Sequence, residues 1–311
     1  MREIMNAARR VAKTNVTVLI TGESGTGKEI VARAIHDSSG NAQKPFVPFN
    51  CTAVPRDLLE SHLFGHRRGA FTGADRDQLG LIRAARDGTL FLDEIGELGL
   101  DLQPKLLRFL ESGEIAPLGE AGPTTVKVRI VAATNRNLEE LVRAGRFRED
   151  LFYRLNVVRL TVKPLRERRD EIPGFIAAFV ARAAEEFNKG QLTVSEETMD
   201  RLLLYRWPGN VRQLQNEIRR MVALAESNST LLPDVISEEI LDALPIFRRA
   251  GSNEHELTVS LQSKLMPTLA QVEREMIQAA LKQSGGKVSA TAQALGISRK
   301  GLYLKRQRYR L

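Results

Sequence analysis

The segment Gly22–Lys28, Gly-Glu-Ser-Gly-Thr-Gly-Lys, has the residue types and spacing of a phosphate-binding loop. It follows the apolar run Thr17–Ile20 and precedes the helical pattern Glu29–His36, which is the strand–loop–helix context that such a loop requires. Glycines let backbone N–H groups turn towards a phosphate, the helix N-terminus adds positive potential, and Lys28 can reach the β- and γ-phosphates. The alternative is a glycine-rich turn without a ligand. The predicted nucleotide contacts here are Gly22, Glu23, Ser24, Gly25, Thr26, Gly27, Lys28 and Glu29.

The apolar strand Thr89–Glu94 ends in two carboxylates and could supply the other half of the same chemistry. Asp93 would help to hold Mg²⁺, directly or through water, and Glu94 would polarise the water that attacks the γ-phosphate. Glu29 stands where the general loop pattern has a magnesium-binding Ser or Thr, so a hydroxyl ligand is not expected there. Acidic pairs at strand ends also occur by chance, but the pair and the loop together favour a nucleotide hydrolase.

Five short apolar segments between residues 16 and 163 alternate with helical or loop stretches such as Glu29–His36 and Leu98–Glu111. They are Thr17–Ile20, Phe46–Phe49, Thr89–Leu92, Val128–Ala132 and Val157–Leu160. This alternation predicts an α/β fold with a mostly parallel sheet flanked by helices. From about Arg166 the pattern becomes helical, with helices predicted at Ile172–Phe187, Glu196–Tyr205 and Val211–Ala225 and a break at Trp207–Asn210.

Composition limits the class of protein. The 311 residues are 42% hydrophobic and 27% charged, which is typical of a globular chain with a substantial core. A single cysteine, Cys51, excludes an intramolecular disulfide framework and a cysteine-built zinc site. The N-terminus lacks a signal-peptide core and no uncharged apolar run is long enough to cross a bilayer, so a cytoplasmic protein is expected.

Positive charge is concentrated at the C-terminal end. Residues 267–311 contain nine Lys or Arg and two Glu, a net charge of +7 out of +8 for the whole chain. Before this tail, the periodicity fades between Pro245 and Met266, which predicts a linker. A short basic end on a nearly neutral body indicates a nucleic-acid-binding module, with a merely solvated charged tail as the alternative.

Helical periodicity returns within the tail. Thr268 and Gln271 have capping spacing before a first helix, and Gly285-Gly286 would end it. Ser289–Leu295 predicts a second helix, Gly296 a tight turn, and Ser298 the cap of a third helix that reaches Tyr309. This spacing is typical of a helix-turn-helix module.

From about residue 11 to 242 the sequence resembles the AAA+ ATPase domain of bacterial sigma-54-dependent transcription activators, the enhancer-binding proteins, and the tail resembles their Fis-type DNA-binding domain. The decisive stretch is Leu63–Ala74, whose last six residues, Gly-Ala-Phe-Thr-Gly-Ala, match the family's hallmark loop. Small residues around one exposed Phe make a poor core element and favour a mobile tip whose Phe71 enters a partner's apolar pocket, with a plain surface turn as the alternative. The resemblance implies sigma-54 contacts at Gly69, Ala70, Phe71, Thr72, Gly73 and Ala74.

The resemblance also implies the domain boundaries. Residues 1–165 would form the nucleotide-binding α/β subdomain, 166–242 the helical lid, 243–266 the linker and 267–311 the helix-turn-helix domain. The first subdomain is expected to be short at its N-terminus, and no receiver or other sensory domain is expected in the sequence.

Further roles carry over from the family to matching positions. Asn50 resembles the asparagine that contacts and reorients the catalytic glutamate, and Asn135, in Thr134-Asn135, the sensor of the γ-phosphate or attacking water. Arg148 and Arg154 match arginine fingers supplied by a neighbouring subunit, with ordinary surface ion pairs as the alternative. Because they lie six residues apart, they cannot share one face of a regular helix, so a bend or a helix start is expected between them. Arg212 resembles the second sensor, which brings the lid onto the phosphates.

In the tail, the helix-turn-helix spacing places Arg299 and Lys300 at the base-reading end of the recognition helix. Phosphate contacts are expected instead from Lys305, Arg306 and Arg308. The predicted DNA-binding set is Ser298, Arg299, Lys300, Tyr303, Lys305, Arg306 and Arg308. Relatives commonly carry an apolar residue at Arg306 and a basic one at Leu304, so the packed face of this helix stays open.

Two other signals are set aside. His62 and His66 lie four residues apart, but Gly65 intervenes and no nearby cluster supplies further zinc ligands. His62 also replaces the acidic residue common in the family before Leu-Phe-Gly. Cys51 has no obvious His–acid partnership in the sequence and is expected to be a small buried residue.

The resemblance implies a DNA-bound activator whose ATPase domains close into a ring, with a hexamer expected, and hydrolyse ATP with Mg²⁺ to remodel closed complexes of sigma-54 RNA polymerase into open ones. The tail would dimerise on double-stranded enhancer DNA. Two alternatives remain: another AAA+ remodelling ATPase, such as an unfoldase, helicase loader or chelatase, and a DNA-binding regulator without ATP-driven remodelling. The hallmark loop and the Fis-like tail argue against the first, and the intact hallmark loop and acidic pair argue against the second.

Overall fold

In a computed structural model, the alternating strands and helices form a central parallel sheet with helices around it. The structure describes residues 1–71, 73–120, 122–243, 248–249, 257–258, 265–285 and 287–309. Thr72, Gly286 and most of the predicted linker lie outside the described residues. The strands are β1 (Val18–Thr21), β2 (Phe46–Asn50), β3 (Gly65–His66), β4 (Gln78–Leu79), β5 (Thr89–Asp93), β6 (Glu114–Ile115), β7 (Thr124–Thr125), β8 (Arg129–Thr134), β9 (Val158–Thr161), β10 (Thr193–Val194), β11 (Thr230–Leu231), β12 (Arg248–Arg249) and β13 (Leu257–Thr258).

The helices are α1 (Arg2–Ala12), α2 (Lys28–Asp37), α3 (Arg56–Phe64), α4 (Leu81–Ala84), α5 (Gln103–Ser112), α6 (Leu138–Arg143), α7 (Glu149–Leu155), α8 (Ile172–Glu186), α9 (Glu196–Leu204), α10 (Asn210–Leu224), α11 (Glu238–Ala243), α12 (Leu265–Gln283), α13 (Val288–Ala294) and α14 (Arg299–Tyr309). None of the helices in the described ranges is long and apolar enough to cross a membrane.

The central sheet has five strands in the order β2-β5-β8-β1-β9, and every neighbouring pair is parallel. Each of the five apolar segments predicted to be strands forms one of them, so the predicted parallel α/β sheet is confirmed. All six residues of β8 are buried, as expected for an inner strand that is covered on both faces. Pro48 is tolerated in β2 because β2 is an edge strand.

Alternate side chains of β1, β2, β5 and β8 enter two separate cores. Leu19 and Leu92 lie in a core formed with residues of α3, α5 and α7. Val18 and Ile20 face the other side of the sheet, where they pack with α1 and α2. The sheet therefore has helices on both faces, and its strands all end at the same edge.

The stretch Leu98–Glu111, expected to be helical or loop, contains both. Its helical part, α5, begins at Gln103 and has Pro104 in its first turn. The preceding residues form a turn in which Leu102 N–H donates to the Gly99 carbonyl at 3.1 Å. Proline at the first turn is compatible with a helix start, which explains the boundary.

The chain divides into two compact units. The first comprises Met1–Val194 and Arg206–Leu231, and so contains the central sheet together with α8 and α10, which pack against each other. The predicted helices at Ile172–Phe187 and Val211–Ala225 match α8 and α10 to within one residue. The second comprises Ser195–Tyr205 and Leu232–Leu311, and includes α9 and the C-terminal helices α12 to α14.

In the second unit, α12, α13 and α14 pack around Ile277, Ala292 and Leu302. The helix-turn-helix spacing is confirmed, because Gly296 adopts φ +64° between α13 and α14 and Ser298 Oγ accepts from the Gly301 N–H at 3.0 Å. The capping role predicted for Thr268 is wrong. Helix α12 begins at Leu265, so Thr268 lies inside it.

Candidate nucleotide-binding and hydrolysis site

The glycine-rich loop lies between the end of β1 and the start of α2, at the edge of the sheet where the parallel strands end. Gly27 adopts φ +99° immediately before α2. Lys28 is 6% exposed, and its Nζ donates to the Gly22 carbonyl at 3.0 Å and the Glu23 carbonyl at 3.4 Å. A buried ammonium therefore sits inside the loop, where it can meet phosphate oxygens.

Three consecutive carbonyl groups of this loop are held from its outer side. The Ser24 carbonyl accepts from Asn210 Nδ2 at 3.0 Å, and the Thr26 carbonyl accepts from Arg168 Nη2 at 2.8 Å. The Gly25 carbonyl accepts from two backbone N–H groups of α10, at 3.0 and 3.3 Å. In a planar trans peptide the N–H points away from the C=O. The N–H groups of Gly25, Thr26 and Gly27 are therefore directed to the opposite side, as a bound phosphate requires.

The loop and α10 are in direct backbone contact at Gly25. This residue has φ +74°, and a Cβ added to it would lie 2.3 Å from the Gly209 carbonyl oxygen and 3.0 Å from Arg212 Cβ. Only glycine satisfies both the left-handed backbone and this close approach.

Glu94, at the end of β5, joins the loop to the neighbouring strand β8. Its Oε1 lies 3.5 Å from Lys28 Nζ, and its Oε2 accepts from the backbone N–H of Asn135 at 3.1 Å. Glu94 is a non-glycine residue with φ +53°, a conformation that is uncommon and often found at functional sites. The predicted base, loop lysine and sensor position are thus brought together.

Asp93 precedes Glu94 and lies half-buried beside it. Burial, and then repulsion from Glu94, raise the pKa of Asp93 above its usual value. Burial and the neighbouring Glu94 carboxylate thus disfavour the negative charge of Asp93. A divalent cation bound by the carboxylate oxygens would compensate that charge, so the pair is suited to hold one. Glu29 is exposed on the first turn of α2.

The Asn50 side chain is hydrogen-bonded to Thr52 and not to Glu94. Its Oδ1 accepts from the N–H of Thr52 at 2.8 Å and from Thr52 Oγ1 at 2.7 Å. In the sheet, Asn50 is the register partner of Asp93. The structure therefore places Asn50 next to the acidic pair without the glutamate contact that the resemblance implied.

Arg212, the predicted second sensor, is placed on the loop. Its Nη1 lies 3.4 Å from Ser24 Oγ, and its backbone N–H is one of the two that bind the Gly25 carbonyl.

Asn210, at the start of α10, was not predicted. Its fully buried amide contacts Glu23 and Ser24, while Arg166 pairs with Glu23 at 2.6 Å. The available signal was a polar residue next to a helix break, which does not reveal its partner.

The two arginine-finger candidates lie at the two ends of α7. Arg148 immediately precedes the helix and pairs with Asp150 at 2.7 Å, so the helix start expected between the two arginines is confirmed. Arg154 is exposed, and its guanidinium donates to the Leu110 carbonyl at 2.8 and 3.1 Å. It lies in a cleft lined by Thr17 and Val157, where strands of the sheet begin.

The hallmark loop Gly69–Ala74 lies between β3 and β4, which pair with each other as a short antiparallel hairpin separate from the central sheet. Phe71 is half-buried rather than exposed, because its ring packs edge-on against His66 with centroids 4.9 Å apart. His66 is itself buried and shares a hydrogen bond with Ser61 at 2.6 Å. The expectation that Phe71 forms an exposed tip is therefore wrong in this conformation.

A charged cluster at the base of this loop was also missed. Arg67 pairs with Asp77 at 2.7 Å and lies 3.5 Å from Glu120, which in turn pairs with Arg83 at 3.1 Å. Glu120 lies between β6 and β7, so these ion pairs tie the hallmark loop to a second loop. Such long-range pairs leave no local pattern in the sequence.

In the second unit, α14 presents one continuous exposed face. Its exposed residues are Arg299, Lys300, Tyr303, Leu304 and Gln307. Leu302 is fully buried and faces the opposite way, which answers the open question about the packed face. Ser298 is exposed and caps the helix.

The basic residues further along α14 differ from expectation. Lys305 pairs with Glu273 of α12, and the Tyr309 hydroxyl donates to the same carboxylate at 2.6 Å. The prediction of Lys305 as a phosphate contact is therefore not supported, because its ammonium joins two helices. Arg306 is half-buried, and the side chain of Arg308 lies outside the described residues.

Cys51 is 3% exposed, so the burial predicted for it is confirmed. Burial, followed by the nearby charges of Asp93 and Glu94, raises the pKa of its thiol to about 12. The thiol is therefore protonated at neutral pH and is a poor nucleophile.

Three family models match the chain in succession. The sigma-54 interaction domain matches residues 1–161, the AAA+ ATPase lid domain residues 166–250, and the bacterial regulatory protein Fis family residues 268–309. Together they cover both the nucleotide site and the helix-turn-helix tail.

Curated relatives and solved structures agree with these matches. The chain is 44% identical over 308 residues to the transcriptional regulatory protein ZraR of Klebsiella oxytoca, covering 99% of this chain and 67% of that protein. It is 42% identical over 323 residues to the DNA-binding transcriptional regulator NtrC of Azospirillum brasilense, covering 98% of this chain and 67% of that protein.

The crystal structure of NtrX from Brucella abortus in complex with ADP superposes with a TM-score of 0.75 and 33% identity, over 100% of this chain and 68% of that chain. The same protein in complex with ATP gives a TM-score of 0.71. The chain thus spans about two thirds of these relatives. Its glycine-rich loop, acidic pair, hallmark loop and basic tail occur in one sequence that matches all three family models, and the chain belongs to the family of sigma-54-dependent transcriptional regulators.

Proposed function

We propose that this chain is an ATP-driven activator of sigma-54 RNA polymerase that binds enhancer DNA. The observation that carries the proposal is the convergence of Lys28, Glu94 and Asn135 on the glycine-rich loop. The same unit carries the hallmark loop Gly69–Ala74, which gives the hydrolysis a mechanical output. Because DNA and the polymerase are its partners, we place its action in the bacterial cytoplasm.

In the proposed reaction, the N–H groups of the loop and Lys28 bind the β- and γ-phosphates of ATP. Glu94 orients and polarises the attacking water, and the backbone of Asn135 keeps its carboxylate aimed at that position. Asp93 would hold Mg²⁺, which neutralises developing charge on the phosphates when bound. Arg212 adds positive charge from the lid side.

Arg148 and Arg154 complete the site of a neighbouring subunit. Arg154 lies where the strands begin, whereas the glycine-rich loop lies where they end. A chain therefore cannot bring its own Arg154 to its own loop without unfolding the sheet. Head-to-tail contacts of this kind close into a ring, for which we propose a hexamer.

The output of hydrolysis is proposed to be release of Phe71 from His66. A ring contact of this size contributes on the order of 1 kcal/mol, so Phe71 can exchange it for an apolar pocket on sigma-54 at little net cost. The ion pairs of Arg67 and Glu120 would move the second loop together with the first.

The tail is proposed to bind DNA as a dimer, with Arg299, Lys300 and Tyr303 facing the major groove. Two large apolar side chains on one face of α12, Leu269 and Met276, are about half exposed and lie seven residues apart. This spacing places them on one helix stripe, which suits pairing with a second copy of the helix.

The test measures phosphate release and promoter opening with sigma-54 RNA polymerase in the same reaction. Glu94→Gln should abolish both while leaving nucleotide binding intact. The matched control is Glu185→Gln, the same chemical change on an exposed position of α8. Phosphate release that survives Glu94→Gln, or promoter opening without ATP, would overturn the proposal.

A further inference from the structure

Asn210 joins three segments of the first unit through one buried side chain. It is fully buried, has φ +53° and is the first residue of α10. Its Oδ1 accepts from the Leu165 N–H at 2.8 Å, and its Nδ2 lies 3.1 Å from Glu23 Oε2 and 3.0 Å from the Ser24 carbonyl. The connected segments are the glycine-rich loop, the start of α10 and the chain that follows β9.

These contacts require an amide. An acceptor is needed towards Leu165 and two donors are needed towards Glu23 and Ser24, and only Asn or Gln offers both from one planar group. Gln would place the group one methylene further out, although Asn210 is already fully buried, so the surrounding residues would have to move. Aspartate would keep the acceptor but put a second carboxylate against Glu23.

The next two residues show what the amide positions. The backbone N–H groups of Val211 and Arg212 bind the Gly25 carbonyl, and the Arg212 guanidinium reaches Ser24 Oγ. Asn210 therefore sets the register of α10 on the loop. A rotation at this point would move the Arg212 guanidinium and the Gly25 carbonyl together.

We propose that Asn210 is a positioning residue of the ATP site, whose amide holds the glycine-rich loop and Arg212 in one geometry so that both face the same phosphates. The proposal rests on the function proposed above. It assigns to Asn210 a contribution to nucleotide affinity that is separable from its contribution to folding.

The main test is Asn210→Asp in the full chain, with the fluorescent analogue mant-ATP as the binding probe. At pH 8 the dissociation constant should rise about 10- to 100-fold, because two donors are replaced by an anion beside Glu23. As the pH falls towards 6, the new carboxyl group takes up a proton and can donate to Glu23. The deficit relative to the unmodified chain should therefore shrink with falling pH.

Glu23→Gln supplies the second variant, since Glu23 is only partly buried, and its melting temperature checks that the fold is kept. Combined with Asn210→Asp, it removes the repulsion and offers an amide donor to the new carboxylate. We expect the double variant to bind mant-ATP within about 3-fold of Glu23→Gln alone, a clear departure from additivity.

The matched control is Asn188→Asp, an exposed lid residue with φ +54° and the same chemical change. It should leave mant-ATP binding unchanged. If Asn210→Asp lowers the melting temperature but binds mant-ATP as the unmodified chain does, or if its deficit is independent of pH and of Glu23, the positioning role is refuted. An unmodified chain that binds no mant-ATP would instead refute the proposed function.

Discussion

Arg154 provides a decisive test of the proposal that the active site is shared between neighbouring subunits. Arg154→Ala removes a guanidinium that lies where the strands begin, and β1 alone separates that edge from the glycine-rich loop by about 13 Å. This distance is too long for the side chain to reach its own loop. We therefore expect Arg154→Ala to bind ATP normally but to hydrolyse it about 10³- to 10⁵-fold more slowly.

Mixing two inactive variants should restore part of the ATP hydrolysis if the arginine acts on a neighbouring subunit. A Lys28→Ala subunit lacks a working loop but keeps its Arg154, whereas an Arg154→Ala subunit has the reverse defect. At a one-to-one ratio with random assembly, about one quarter of the head-to-tail contacts pair an intact loop with an intact arginine. The mixture should thus recover about one quarter of the normal rate, although each variant alone is inactive.

The assay is steady-state phosphate release at a protein concentration where light scattering shows complete assembly. Arg143→Ala, a change at an exposed arginine in the preceding helix, serves as the control and should keep normal turnover. A mixture no more active than the sum of its parents, with both variants still assembled, would refute catalysis in trans. Normal turnover of Arg154→Ala would exclude Arg154 as the finger.

Further outcomes are expected at four other residues. Phe71→Ala should keep ATP hydrolysis but lower promoter opening at least about 10-fold, measured by permanganate footprinting, because the loop loses its apolar anchor. Arg299→Ala should relax base preference in a binding-site selection, whereas Lys305→Met should lower the melting temperature of the tail without changing the salt dependence of DNA binding, because Lys305 pairs with Glu273. The pKa of Cys51 is raised to about 12, so the folded chain keeps its thiol proton while the unfolded chain releases it above about pH 9. Urea unfolding at pH 8 and pH 10 should therefore show a loss of about 1.4 kcal/mol that is missing in Cys51→Ala.

The sheet could be predicted from the sequence because each of its strands is a short apolar segment. β8 is buried along its whole length and apolar from Ile130 to Ala133 since both faces are covered, and even Pro48 does not disturb β2 at the sheet edge. The glycine-rich loop and Glu94 could likewise be placed together, because parallel strands end at one edge. Site residues that lie in a local motif or at the end of a strand can therefore be predicted from the sequence.

Contacts between distant segments were not predictable. Phe71 looks like an exposed tip from its neighbours, and only the fold brings His66 under its ring. Lys305 looks like a phosphate contact from its charge, but α12 supplies Glu273 to it. Asn210 follows a helix break, and nothing in that pattern indicates a partner almost two hundred residues away. In each case the residue type was informative, while the partner was set by tertiary packing.

The bare backbone contact between Gly25 and Gly209 has a mechanical consequence. A side chain at such a junction could absorb a small shift by changing rotamer, but here neither residue has one. A displacement of a few tenths of an ångström in the glycine-rich loop must therefore be matched by α10. Because no flexible side chain separates the loop from the helix, a shift of the loop caused by bound phosphates would move α10 directly.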